Sequence, residues 1–127
     1  MTYRFNGSGP FVGVRVRIAG PTGAFTYAFA LDTGATWTVV RPGILSYLGY
    51  DVDSTGTSHA IVTAMGATNA PRLPVQQIDA LGIFAAGLRV LCRQLPEGLR
   101  VGGVLGLDFL RGGRLEVDFA AGTIDLD

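Results

Sequence analysis

Apolar and polar positions alternate along most of this chain, with the period of two that marks strands having one buried face. Val12, Val14, Val16 and Ile18 fall on one side, and Gly13, Arg15 and Arg17 on the other. Ala19-Gly20-Pro21-Thr22-Gly23 has the composition of a turn. Phe25, Tyr27, Phe29 and Leu31 alternate again, so residues 11–31 read as a β-hairpin. Trp37 to Val40 is a short β-branched and aromatic run, and Pro42 suits the first turn of a brief helix reaching about Leu48. Residues 51–58 are polar and turn-rich. His59 to Thr63 predicts a strand, residues 64–67 a turn, and Thr68 onward a return leg. Pro71 and Pro74 in that leg predict an edge or exposed ribbon. Leu88 to Cys92 reads as a further strand. Val101-Gly102-Gly103-Val104-Leu105-Gly106 suits a buried strand that other backbone approaches closely. Leu107 to Arg111 fits one helical turn, and Leu115–Phe119 with Thr123–Leu126 fits a closing hairpin. The sum is about eight or nine short strands with little helix, an all-β barrel or sandwich.

Composition agrees with that picture and removes several function classes. The 127 residues suffice for one domain, taken as 1–127, and 48% hydrophobic residues supply a core. Nineteen Gly and six Pro disfavour helix. Ten basic and ten acidic residues cancel, which gives no whole-chain attraction to nucleic acid or anionic lipid. Every basic residue is Arg, so phosphate-loop and Schiff-base lysines are ruled out. One Cys and one His cannot build a Cys/His zinc site. No apolar run approaches the roughly 18–20 residues of a membrane span. A cytoplasmic location is expected if these residues are the whole chain.

Asp32 is the chemical outlier. It follows the apolar Phe29-Ala30-Leu31 and precedes Thr33-Gly34-Ala35. A carboxylate at the rim of an apolar strand is unfavourable unless it is paired or protonated. On spacing alone it also reads as a turn-initiating Asp with Gly two residues on.

The longer pattern is more specific. Ala30-Leu31-Asp32-Thr33-Gly34-Ala35-Thr36 resembles the active-site loop of retropepsin-like aspartic peptidases. Gly103-Val104-Leu105-Gly106-Leu107-Asp108-Phe109-Leu110 is similar to that family's apolar pair plus Gly, followed by a short helix. The hairpin around Thr63-Ala64-Met65-Gly66 lies where the family keeps a flap, and residues 115–126 resemble its closing strands. Together the resemblance spans residues 11–127. It implies a closed acid-protease barrel with one or two short helices and a flap hairpin.

The resemblance also implies a division of labour. Asp32, Thr33 and Gly34 would be catalytic: Asp32 as the acid–base carboxyl, Thr33 as a bond to the partner loop, and Gly34 for close passage of substrate. Ala35, Thr36, Met65 and Gly66 would contact substrate. Val104, Leu105 and Gly106 would support the loop from beneath. Neither metal nor organic cofactor is implied. Two carboxyls held about 3 Å apart share one proton and so provide an acid and a base together. The chain holds a single Asp-Thr-Gly, so the expected unit is a homodimer acting on polypeptide, with the termini as natural interface strands. Ala35 lacks the hydroxyl that pepsin-type loops offer their carboxylate, so activity is expected at mildly acidic to near-neutral pH. Leu107-Asp108 stands where retroviral members carry Arg, and Asp108 is expected to be structural. The alternative is a catalytically idle retropepsin-like dimerisation or protein-binding module.

Overall fold

The computed structural model describes residues 1–55, 57–63 and 66–127. The 11–31 hairpin forms as β2 (Gly13–Gly20) and β3 (Gly23–Leu31), preceded by a short β1 (Thr2–Arg4). β4 (Val39–Val40), α1 (Pro42–Tyr47) and α2 (Val52–Thr55) follow. β5 (Thr57–Thr63) and β6 (Gly66–Pro74) make the flap-like hairpin. Next come β7 (Gln77–Ala80), β8 (Ile83–Ala86), β9 (Arg89–Cys92) and β10 (Gly103–Leu105). The chain ends with α3 (Leu107–Leu110), β11 (Leu115–Asp118) and β12 (Thr123–Leu126).

Nine strands join in the order β5-β6-β9-β4-β10-β3-β2-β7-β8, and β1-β12-β11 form a second sheet. The large sheet curls into a half-barrel, in line with the all-β expectation. Most neighbours are antiparallel, but β10 runs parallel to β3, and β9 parallel to β4. The β2 alternation does what its sequence requires. Val14, Val16 and Ile18 are buried, while Arg15 and Arg17 face out. Their buried face packs with Phe29, Leu45, Leu48, Ile78, Leu105 and Ile124 in the main core. A smaller cluster of Val39, Ala70 and Leu91 carries Trp37, Ile61, Leu95 and Val104 on its margin. Among the described residues, no helix is long and apolar enough to cross a membrane.

Two local readings differ from the structure, and one hairpin carries no reading in the sequence. The return leg β6 is an exposed ribbon over Gly66–Asn69, as expected, but it is not an edge beyond, because Arg72–Pro74 pair with β9. Pro71 is registered against β5 and Pro74 against β9, so each proline faces a ladder on one side and is tolerated. Residues 77–86 form a hairpin about Leu81-Gly82, both with positive φ (53° and 77°). That backbone suits a two-residue turn between twisted strands, but Leu there is an uncommon signal. Finally, the polar run after Tyr50 includes a helical turn, α2, so the described residues hold three short helices rather than one or two.

Candidate active site

The loop after β3 is sewn to the segment after β10 by backbone hydrogen bonds. Leu31 N–H donates to Val12 O at 2.8 Å, and Asp32 N–H to Leu105 O at 3.0 Å. Within the loop, Ala35 N–H reaches Asp32 O at 3.1 Å. Leu107 N–H then reaches Ala35 O at 2.8 Å, and Asp108 N–H reaches Thr36 O at 3.3 Å. Gly34 N–H donates to Asp32 Oδ1 at 2.8 Å, which orients the carboxylate on its own loop. A Cβ on Gly34 would lie 3.1 Å from that same oxygen, so a larger residue would crowd the carboxyl.

Asp32, Thr33 and Gly34 are all exposed in the single chain. Asp32 opens onto a cleft of about 480 Å³. Gly34, Ala35, Thr36 and Val104 line it beside Asp32, so five of the expected site residues meet there. Leu105 does not, since it points into the main core and serves the loop through its carbonyl. Gly106 is buried, and its N–H donates to Thr38 Oγ1 at 3.1 Å. The β5–β6 hairpin contributes Ala60 and Ile61 to the cleft wall. Gly66 opens β6 opposite Thr63, with φ 124° and open space where a Cβ would stand. Met65 lies outside the described residues.

Asp108 fastens the loop from behind. Its carboxylate accepts from Thr38 N–H at 3.0 Å, Thr38 Oγ1–H at 2.7 Å and Phe109 N–H at 2.9 Å. Thr38 is fully buried, and its bonds to Asp108 tie the residue before β4 to α3. A carboxylate with three donors here holds the two halves of the site in register.

Leu91 and Arg93 also line the cleft, and no sequence motif marks them, whereas Val90 and Cys92 face the main core. That is the strand alternation of β9 carried one residue past its end. Trp37 lies on the cleft wall with the Arg72 guanidinium 3.7 Å from its ring centroid. Burial, then the nearby Arg89 charge, pulls the Arg72 guanidinium below its ordinary value, and Asp108 acts in the opposite sense. Burial, then the charge of Asp53, pushes the Cys92 thiol up, which suits a packing role rather than a nucleophile. Among the described residues, no cluster of His, Cys, Asp and Glu could hold a metal ion.

The geometry has counterparts in known proteins. A family model described as "gag-polyprotein putative aspartyl protease" matches residues 14–112. The crystal structure of a retropepsin-like aspartic protease from Rickettsia conorii is similar at a TM-score of 0.72 and 16% identity. That similarity covers 99% of this chain and 88% of the rickettsial one, and at this identity it speaks for the fold. No curated protein sequence matches the chain. The family match takes in the Asp32 loop, the β5–β6 hairpin and the segment from β10 through α3, and the chain belongs to the retropepsin-like aspartic peptidases.

Proposed function

We propose that this protein is an aspartic endopeptidase that hydrolyses peptide bonds of extended polypeptides as a homodimer. The reading rests above all on one observation. The Asp32 carboxylate, oriented by Gly34 N–H at 2.8 Å, opens onto an apolar cleft flanked by a β-hairpin. A single chain supplies one such carboxyl, and a second copy supplies the other. The pair shares a proton. One carboxylate takes a proton from water, whose oxygen adds to the scissile carbonyl carbon, while the other carboxyl protonates the carbonyl oxygen. On collapse, a proton passes to the amide nitrogen, the C–N bond breaks and the amine departs.

The remaining roles follow from position. Thr33 is exposed beside Asp32 and, in the dimer, bonds the partner loop and keeps the carboxyls in register. Gly34, Ala35 and Thr36 line the substrate path, and the β5–β6 hairpin with Gly66 covers it. An extended peptide pairs with such a hairpin through its backbone, which gives affinity without sequence dependence. Val104 completes the wall, while Leu105 and Gly106 hold the loop through backbone groups.

The test is cleavage of an unstructured polypeptide by the wild-type protein and by Asp32→Asn, with products read by mass spectrometry. Asn keeps an oxygen for Gly34 N–H, so the loop survives the change. Loss of the acid–base group lowers the rate by about 10³-fold or more. Wild-type cleavage rates in Asp32→Asn would overturn the reading. A folded dimer inert toward diverse peptides would favour the binding module instead.

A further inference from the structure

Arg93 is the arginine that lines the Asp32 cleft, and it differs from its neighbours in how it is committed. Arg41 is spent on the 94–101 loop, donating to the carbonyls of Val101 (2.6 Å), Leu95 (3.0 Å), Pro96 (3.2 Å) and Leu99 (2.6 Å) and to Gln94 Oε1 (3.0 Å). Arg72 and Arg89 exchange bonds across the β6–β9 pair, Arg72 Nε to Arg89 O at 3.2 Å and Arg89 Nη2 to Arg72 O at 3.3 Å. Arg72 in addition covers Trp37.

Arg93 is different. Its backbone is fixed, because its N–H donates to Val40 O at 3.2 Å. Its side chain follows Leu91 onto the cleft wall. Its guanidinium pairs with no carboxylate and makes no hydrogen bond among the described residues. Trp37, Val39, Ile61, Leu91, Leu95 and Val104 give the wall it shares an apolar surface. Arg93 is exposed, so water solvates its guanidinium until a ligand covers it. Substrate that fills the cleft displaces water from that wall, which strengthens attraction to an opposite charge and penalises a like one. Arginine offers a planar fork that matches a carboxylate bidentately.

We propose that Arg93 determines specificity, selecting polypeptides that place a Glu or Asp side chain in this cleft among otherwise apolar residues. The inference rests on the endopeptidase reading for its reaction, but not for its recognition. The cleft as a whole thus favours an apolar segment interrupted by one acid, and it disfavours Lys or Arg at the same position.

The experiment uses the full chain and a set of peptides with one apolar sequence, in which each position in turn carries Glu, Gln or Lys. The readout is the ratio of kcat/KM for Glu over Gln. In the wild type this ratio is expected to reach about tenfold at one position, the size of a single charge-assisted contact in a desolvated site. Arg93→Ala brings the ratio to about one, and Arg93→Lys restores part of it. Arg93→Glu inverts the order in favour of Lys, a gain that misfolding cannot produce. A wild-type ratio near one at every position overturns the proposal, as does a preference for Glu that survives Arg93→Ala. If no peptide is cleaved, the same peptides are titrated by fluorescence anisotropy. Binding of the Glu peptide that is lost in Arg93→Ala and reversed in Arg93→Glu supports Arg93 while the endopeptidase reading falls, and equal binding of all peptides overturns both.

Discussion

Thr38 is the residue on which the site's rigidity turns. Its hydroxyl gives a proton to Asp108 Oδ1 at 2.7 Å and receives one from Gly106 N–H at 3.1 Å, in a fully buried position. Thr38→Val keeps the shape and removes both bonds. It leaves Gly106 N–H unpaired and strips one donor from a carboxylate. We expect a loss of about 2–4 kcal/mol in urea unfolding. Thr26→Val on the exposed face of β3 should stay within about 0.5 kcal/mol. A loss for Thr38→Val no larger than for Thr26→Val would show that the bridge is not structural. The expectation that Asp108 is a structural carboxylate agrees with these bonds, but its partner is not legible in the sequence. Seventy positions separate the two residues, and only the pairing of β4 with β10 brings them together. Asp32 is legible because a chain of neighbours carries its motif. Arg93 is not, because its significance lies in what it fails to pair with in three dimensions.

At the scale of elements, β10 is the strand that the rest of the fold is built around. It pairs parallel with β3 and antiparallel with β4, so both halves of the site hang from it. Such a position explains the Gly-Gly before Val104. A Cβ on Gly103 would overlap the Val39 carbonyl oxygen and come within 2.7 Å of Phe29 Cε2. Gly103→Ala should therefore destabilise by about 3 kcal/mol or more, or prevent folding. Gly43→Ala meets nothing within 4 Å and sits in α1, so it should gain about 0.5 kcal/mol. Chemical denaturation of both variants checks the pair, and a neutral Gly103→Ala would refute the packing argument. The buried-strand reading of residues 101–106 comes from absent side chains, and the 11–31 hairpin from strict alternation. Elements without such signals escape a reading of the sequence. β1 spans three residues, and its strand character depends on the ladder that β12 offers. The 77–86 hairpin turns through Leu81 at positive φ, where propensity argues against a turn and tertiary pairing overrides it.

Over the whole molecule, the two sheets and their shared core leave the Asp32 loop at an exposed rim. Nothing in the fold of one chain brings a second Asp-Thr-Gly to that rim, since the sequence holds only the one at 32–34. This is the part of the molecule that sequence defines by subtraction. On the proposed mechanism the complete dyad comes from symmetry, and symmetry has a kinetic signature. When wild-type and Asp32→Asn chains are mixed and allowed to exchange, a fraction f of wild-type chains gives dimers with two intact carboxyls in proportion to f². At equal mixing, activity per total protein should fall to about one quarter, against about one half if each chain works alone. The mixed dimer pairs one wild-type chain with one Asp32→Asn chain, so it cannot share a proton between two acids and adds nothing. Dilution should reveal the same requirement, because specific activity must fall as dimers dissociate. Activity linear in f, with specific activity independent of concentration, would assign the chemistry to a single chain and require its second proton-handling group to be found elsewhere in the cleft.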